Sequence, residues 1–156
     1  MRPLLLSLRA CLLLLALSAC DGNPPESGDP TKVKYAPSLN VDLEAMNRSE
    51  SGLYTQDLVV GTGEEVTPGR TAFVHYSGWL PNGSMFDTSR DDGRYFSFVV
   101  GQGRVIKGWD EGVVGMKVGG TRRLVIPSEL GYGELGSGPI PPHSVLIFDV
   151  ELGSVR

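Results

Sequence analysis

Thiol chemistry is almost missing from this chain. Two cysteines occur in 156 residues, Cys11 and Cys20, and both fall within the first twenty. Beyond Cys20 neither a disulfide nor a cysteine nucleophile can be drawn. Histidine is as scarce, with only His75 and His143. Carboxylates are not clustered at ligand spacing, so no metal site is expected. A basic stripe is missing too. The formal net charge is −4, with acids and bases interspersed, and no nucleic-acid partner is expected. There is no internal repeat and no heptad pattern. The one long apolar run, Leu4 to Leu17, is broken by Arg9 and falls short of the roughly 20 residues of a comfortable membrane span. Gly101-Gln102-Gly103 begins like a dinucleotide fingerprint, but Ile106 stands where the third glycine belongs. No cofactor is expected.

What is present is turn chemistry and short apolar runs. Gly at 21 and Pro at 11 favour strands and turns over a helical bundle. The first nineteen residues read as a signal peptide, with Arg2 ahead of the apolar stretch and small residues at its end. Leu17-Ser18-Ala19-Cys20 resembles the bacterial lipobox, in which the Cys becomes the lipidated first residue. An ordinary signal peptide that happens to contain Cys is the plainer alternative. Cleavage before Cys20 removes Arg2 and Arg9 from the 14 bases and none of the 18 acids, leaving 12 − 18 = −6. Residues 20–50 are expected to follow as lipidated Cys, disordered tether (Asp21 to Thr31) and irregular arm (Val33 to Met46). The arm holds Tyr35, Leu39, Val41, Leu43 and Met46, too apolar for pure linker, and is expected to lie partly against the domain.

The folded domain is expected over 51–156. Leu53–Val60, Thr71–Leu80, Met85–Asp87, Tyr95–Val100, Thr121–Ile126 and Val145–Leu152 read as strands. On the second, Val74 and Tyr76 share one face, and Phe73, His75 and Trp79 the other. Ile106, Trp109 and Val113 share one face of a short helix. Its glycines are expected to let backbone approach whatever lies above the helix start. The sum is an α+β domain, a strand-dominated sheet with one short helix.

Six separate blocks carry a resemblance. They are Val74-His75-Tyr76-Ser77-Gly78, Phe86-Asp87-Thr88-Ser89-Arg90, Phe96-Ser97-Phe98, the run Val105 to Gly112, Leu130-Gly131-Tyr132-Gly133, and Ile140 to His143 with Leu146 to Leu152. In this order, from Gly52 to Leu152, they resemble the FKBP family of peptidyl-prolyl cis-trans isomerases. The resemblance implies a twisted antiparallel β-sheet wrapped over one short helix. It implies a pocket walled by Tyr76, Phe86, Asp87, Phe96, Val105, Ile106, Tyr132 and Phe148, with Trp109 as its floor. In the implied chemistry the aromatics enclose a proline ring. The Ile106 N–H and the Tyr132 hydroxyl hold substrate carbonyls, and Asp87, oriented by Tyr76, faces the amide carbonyl. Two departures lie at the rim: Arg104 where many members have an acid, and a loop after Tyr132 one residue shorter than in the human archetype.

Singly these residues are weaker signals. Phe96, Phe98 and Phe148 read as packed core, Asp87 as a turn residue and Tyr132 as a loop anchor. His75 reads as a strand residue on the opposite face, and His143 as structural. Two functions stay open: an isomerase acting on proline-containing exported proteins, inhibited by macrolides such as tacrolimus or rapamycin, or an FKBP-fold binding module or chaperone. The expected state is a monomer held to a membrane of the bacterial cell envelope through lipid on Cys20, facing the periplasm or the outside.

Overall fold

In a computed structural model the structure describes residues 27–156. The signal peptide and Cys20 lie outside these residues. Seven strands form one antiparallel sheet: β1 (Asn47–Arg48), β2 (Tyr54–Val59), β3 (Thr71–Trp79), β4 (Met85–Thr88), β5 (Phe96–Val99), β6 (Thr121–Ile126) and β7 (Leu146–Val155). Their order is β1-β2-β6-β7-β3-β4, and β5 also pairs with β3. One short helix, α1 (Lys107–Gly112), crosses the inner face. This is the α+β class expected. The last strand runs three residues past the expected end, because Ser154 and Val155 pair with Phe73 and Ala72 beyond a bulge at Gly153 of β7.

The inner face is built by alternation. Ala72 and Val74 of β3, Leu124 and Ile126 of β6, and Leu146, Phe148, Val150 and Leu152 of β7 are buried in one cluster with Trp109 and Val113. The helix comes close because it carries glycine where it meets β6. A Cβ on Gly108 would sit 2.6 Å from the Ile126 side chain, and one on Gly112 would sit 2.7 Å from Leu124. Gly103, ahead of the helix, has open space around it and a φ of +65°. The glycines therefore serve helix-on-sheet packing and a turn, not a close approach above the helix start. Arg122 closes the other end of the helical turn, donating to the Gly112 and Val114 carbonyls at 3.0 Å each.

The outer face carries a second apolar row. Trp79 pairs with Ile147, Ile147 with Val125, and Val125 with Tyr54, across β3, β7, β6 and β2. Residues 33–46 cover that row. Leu39 and Met46 are buried against it, with Val33, Tyr35, Ala36, Val41 and Leu43 packed alongside. Three 3-10 turns, Pro30–Lys32, Pro37–Leu39 and Leu43–Ala45, shape this cover. Arg123 ties it down. Its guanidinium grips Asp149 with two 2.7 Å bonds and also donates to the Leu39 carbonyl.

The ordered body therefore starts well before residue 51. The Ser128 N–H donates to the Gly28 carbonyl at 3.0 Å. Pro30 is buried, and β1 joins the sheet edge at Asn47–Arg48. The sequence predicts a tether through Thr31 and an irregular arm lying partly against the domain; the structure orders residues 28–31 too and lays 33–46 along the sheet. The reason for the difference is the outer row, whose burial needs a cover that no other element supplies among the described residues.

Candidate active site

The sheet's inner face, α1 and the loop after β6 leave a cavity of about 270 Å³ between them. It is lined by Tyr76, Phe86, Asp87, Phe96, Arg104, Val105, Ile106, Trp109, Tyr132 and Phe148. Every pocket residue named from the sequence lies on this one cavity, although they come from β3, β4, β5, β7, α1 and two loops.

Each position has a local cause. Tyr76 continues the inward alternation of Ala72 and Val74 on β3. Phe148 does the same on β7. Gly78 stands opposite both Phe148 and Asp87 in the ladder. A Cβ there would lie 2.6 Å from the Phe148 ring and 2.8 Å from the Phe86 ring. This glycine lets both rings lie down on the sheet. It sits in a quoted sequence block, but its role needs the cross-strand pairing to be seen.

Trp109 is 4% exposed and ringed by aromatics. Tyr76 stands edge-on to it at 4.9 Å and 85°, Phe148 at 5.3 Å and 86°, and Phe96 at 5.9 Å and 82°. Phe86 is edge-on to Phe148 at 5.4 Å. Such T-shaped contacts fix ring positions beyond what area burial alone does. The Trp109 Nε1 is buried without a partner among the described residues. Phe96 and Tyr132 are each 40% exposed, far more than core aromatics require. They form the mouth.

The polar groups are few. The Tyr76 hydroxyl donates to the Asp87 carboxylate at 2.6 Å. Burial first, and then this bond, push the Tyr76 phenol well above its ordinary value of 10.0. It therefore stays a proton donor at any physiological pH. The Ser89 hydroxyl accepts from the Tyr76 N–H at 2.9 Å, and the Thr88 hydroxyl donates to the Tyr76 carbonyl at 2.9 Å. The Ile106 carbonyl accepts from Trp109 and Asp110 to start the helix. Asp110 turns back and accepts from the Gly101 and Gly103 N–H groups at 2.9 and 2.8 Å. That pins the loop carrying Arg104 and Val105.

The histidines stand apart from the cavity lining. His75 points to the other face, its ring against Tyr95 at 4.2 Å with a 31° tilt and bonded to Ser89 at 3.1 Å. His143 takes a φ of +58° in a turn, its N–H donating to the Gly133 carbonyl. A larger cleft of about 380 Å³ lies where residues 27–30 meet Tyr54, Ser128 and His143, but it has a single aromatic and no such ring box.

The arrangement can hold a small apolar ring in a mainly aromatic box with one fixed acid at the edge. It offers no nucleophile paired with a base. A family model described as FKBP-type peptidyl-prolyl cis-trans isomerase matches residues 62–153. An FK506-binding protein of Neisseria meningitidis serogroup B is 55% identical over 102 residues, 65% of this chain and 94% of that protein. The peptidyl-prolyl cis-trans isomerase FKBP15-3 of Arabidopsis thaliana is 43% identical over 122 residues, 76% of this chain and 85% of the relative. The crystal structure of FkpA from Escherichia coli superposes with a TM-score of 0.68 at 40% identity, covering 77% of this chain and 55% of that one.

Proposed function

The chain belongs to the family of FKBP-type peptidyl-prolyl cis-trans isomerases, and from that premise we propose how its cavity works and where it acts. An X-Pro bond rotates over a barrier of roughly 18–20 kcal/mol, because rotation breaks amide resonance. Left alone it takes tens to hundreds of seconds. The twisted amide has lost the partial charges that water stabilises in the planar form. An apolar box therefore favours it relative to bulk water. Each tenfold in rate needs only about 1.4 kcal/mol, so small effects suffice.

In this reading the proline ring enters between Phe96, Val105, Phe148 and Tyr76 and rests on Trp109. The Ile106 N–H, which donates to no acceptor among the described residues, holds one substrate carbonyl. The Tyr132 hydroxyl at the mouth holds another. Asp87, held by Tyr76, faces the carbon end of the rotating amide. The observation that carries the reading is the aromatic box closing on Trp109, with Asp87 at its edge.

Support for the setting comes from the lipobox-like Leu17 to Cys20. We place the enzyme in a bacterial envelope, anchored through lipid on Cys20 and acting as a monomer on exported chains. Because the body begins at Gly28, the eight steps from Cys20 span at most about 30 Å. The domain then works close to the bilayer instead of sweeping far from it.

The test is cis/trans exchange of an Ala-Leu-Pro-Phe peptide by the full-length protein in detergent. Acceleration that tacrolimus or rapamycin abolishes is expected, and Asp87→Val is expected to slow it about tenfold or more with the fold retained. A folded protein that leaves the exchange rate unchanged would leave only a binding module.

A further inference from the structure

The cavity lining holds two charged residues, Asp87 and Arg104. They are in opposite situations. The Asp87 carboxylate is engaged by the Tyr76 hydroxyl at 2.6 Å. Arg104 is exposed and has no ion pair or hydrogen bond to its guanidinium among the described residues. Among the other described arginines, Arg94 is also exposed with no partner for its guanidinium, but it is not on the cavity lining, and the rest are engaged. Arg70, Arg90, Arg122 and Arg123 are paired with carboxylates, and Arg48 and Arg156 lie over the rings of Tyr54 and Phe73.

The acid nearest in sequence is unavailable. Asp110 spends both carboxylate oxygens on the Gly101 and Gly103 N–H groups. Those bonds also fix the backbone that leads into Arg104, so its side chain starts from a set position beside Val105 and Ile106. Lys107, exposed at the start of α1, adds charge of the same sign. A chain with a surplus of acid thus presents an open cation at the mouth of an apolar box.

Resting on the isomerase reading above, we propose that Arg104 is a specificity-determining residue. It selects proline-containing chains with a Glu or Asp side chain next to the proline. The guanidinium fork matches a carboxylate in two parallel bonds, which a lysine or an amide partner does not reproduce. A residue after the proline keeps its place as the X-Pro bond turns, so there the contact is made equally with the planar and the twisted amide, lowering KM and leaving kcat alone; a residue before the proline swings with the bond, so there the contact reaches kcat as well.

The experiment compares Ala-Glu-Pro-Phe with Ala-Gln-Pro-Phe and Ala-Lys-Pro-Phe, and the same substitutions just after the proline. The full-length protein is used in detergent at low salt. For one of the two positions Glu should exceed Gln in kcat/KM by about two- to fivefold, the size of a partly exposed ion pair. After the proline the effect should sit in KM, before it in kcat as well, and in either case the ratio should shrink towards one at high salt. Arg104→Ala should erase the ratio, and Arg104→Glu should turn the preference towards Lys. A Glu/Gln ratio that is the same with and without Arg104 at both positions overturns the proposal. Calorimetric affinities for the same peptides give the ratio independently of turnover. If no peptide is isomerised, the functional reading falls, while the affinity ratio still decides the role of Arg104.

Discussion

Leu39→Ala tests whether the segment before residue 47 is part of the fold. Leu39 is 6% exposed and lies on the outer face with Tyr54, Val125, Val145 and Ile147, the last three at 0%. Truncating a buried leucine costs about 2–5 kcal/mol, according to how far the site can collapse. Here the surrounding cover is thin and partly exposed, so the lower half of that range, about 2–3 kcal/mol, is the expected loss. For a body of this size each kcal/mol moves Tm by about 3–5 °C, so Tm should fall by about 6–15 °C. The cavity lies on the inner face, across the sheet from Leu39. At a temperature well below the lowered Tm, kcat/KM for Ala-Leu-Pro-Phe should match the parent. Thermal denaturation followed by circular dichroism, with the peptide assay at 10 °C or about that, separates the two effects. A Tm within about 2 °C of the parent would mean that the cover contributes little, and would refute the outer-face argument.

Trp109→Ala should destabilise by about 3–5 kcal/mol in urea titration and abolish macrolide binding, since it removes both the floor and the centre of the ring box. Gly78→Ala should keep the ladder but displace the Phe148 and Phe86 rings, given the 2.6 and 2.8 Å approaches of a Cβ there. Its kcat/KM should fall at least about tenfold, and the overpacking should also cost about 1–3 kcal/mol of stability. The Tyr76 phenol is raised above 10.0 by burial and by Asp87. The unfolded chain therefore loses that proton first as pH rises. The resulting stability is intact below pH 10 or about that and is lost as pH climbs through the folded value, so Tyr76→Phe should flatten the alkaline fall in stability. Cys20→Ser should leave precursor or a soluble species, and intact-mass analysis of the membrane fraction should find acyl mass on Cys20 in the parent; a mature N-terminus elsewhere would end the lipoprotein proposal.

Much of this protein was legible before any coordinates. Short alternating runs bounded by Gly and Pro marked β2 to β7 to within a few residues, because a strand's period is a local property. The cavity residues could be named because the compact blocks that hold them resemble those of a family; by type alone they read as core, turn and loop residues. Thr121–Ile126 was read with its true limits. Other features had no local signature. Trp79 could be assigned to the face opposite Tyr76, but not to a row with Ile147, Val125 and Tyr54. That row exists only once four strands are in register. Residues 28–31 look like tether by composition, and residues 33–46 are too apolar for pure linker, yet their apolar groups follow neither a helical nor a strand period. They match a surface that the rest of the chain builds. Gly78 and Gly108 likewise show as ordinary small residues until Phe148 and Ile126 arrive across the ladder and the helix interface. Composition and spacing thus determined the class and the strands, and the membership of the pocket followed from the resemblance of six sequence blocks to a family. Tertiary structure decided where the ordered body begins, which glycines are required, and that Arg104 is left without a partner. Each of these depends on contacts between residues far apart in the chain, and no window of sequence contains both sides of such a contact.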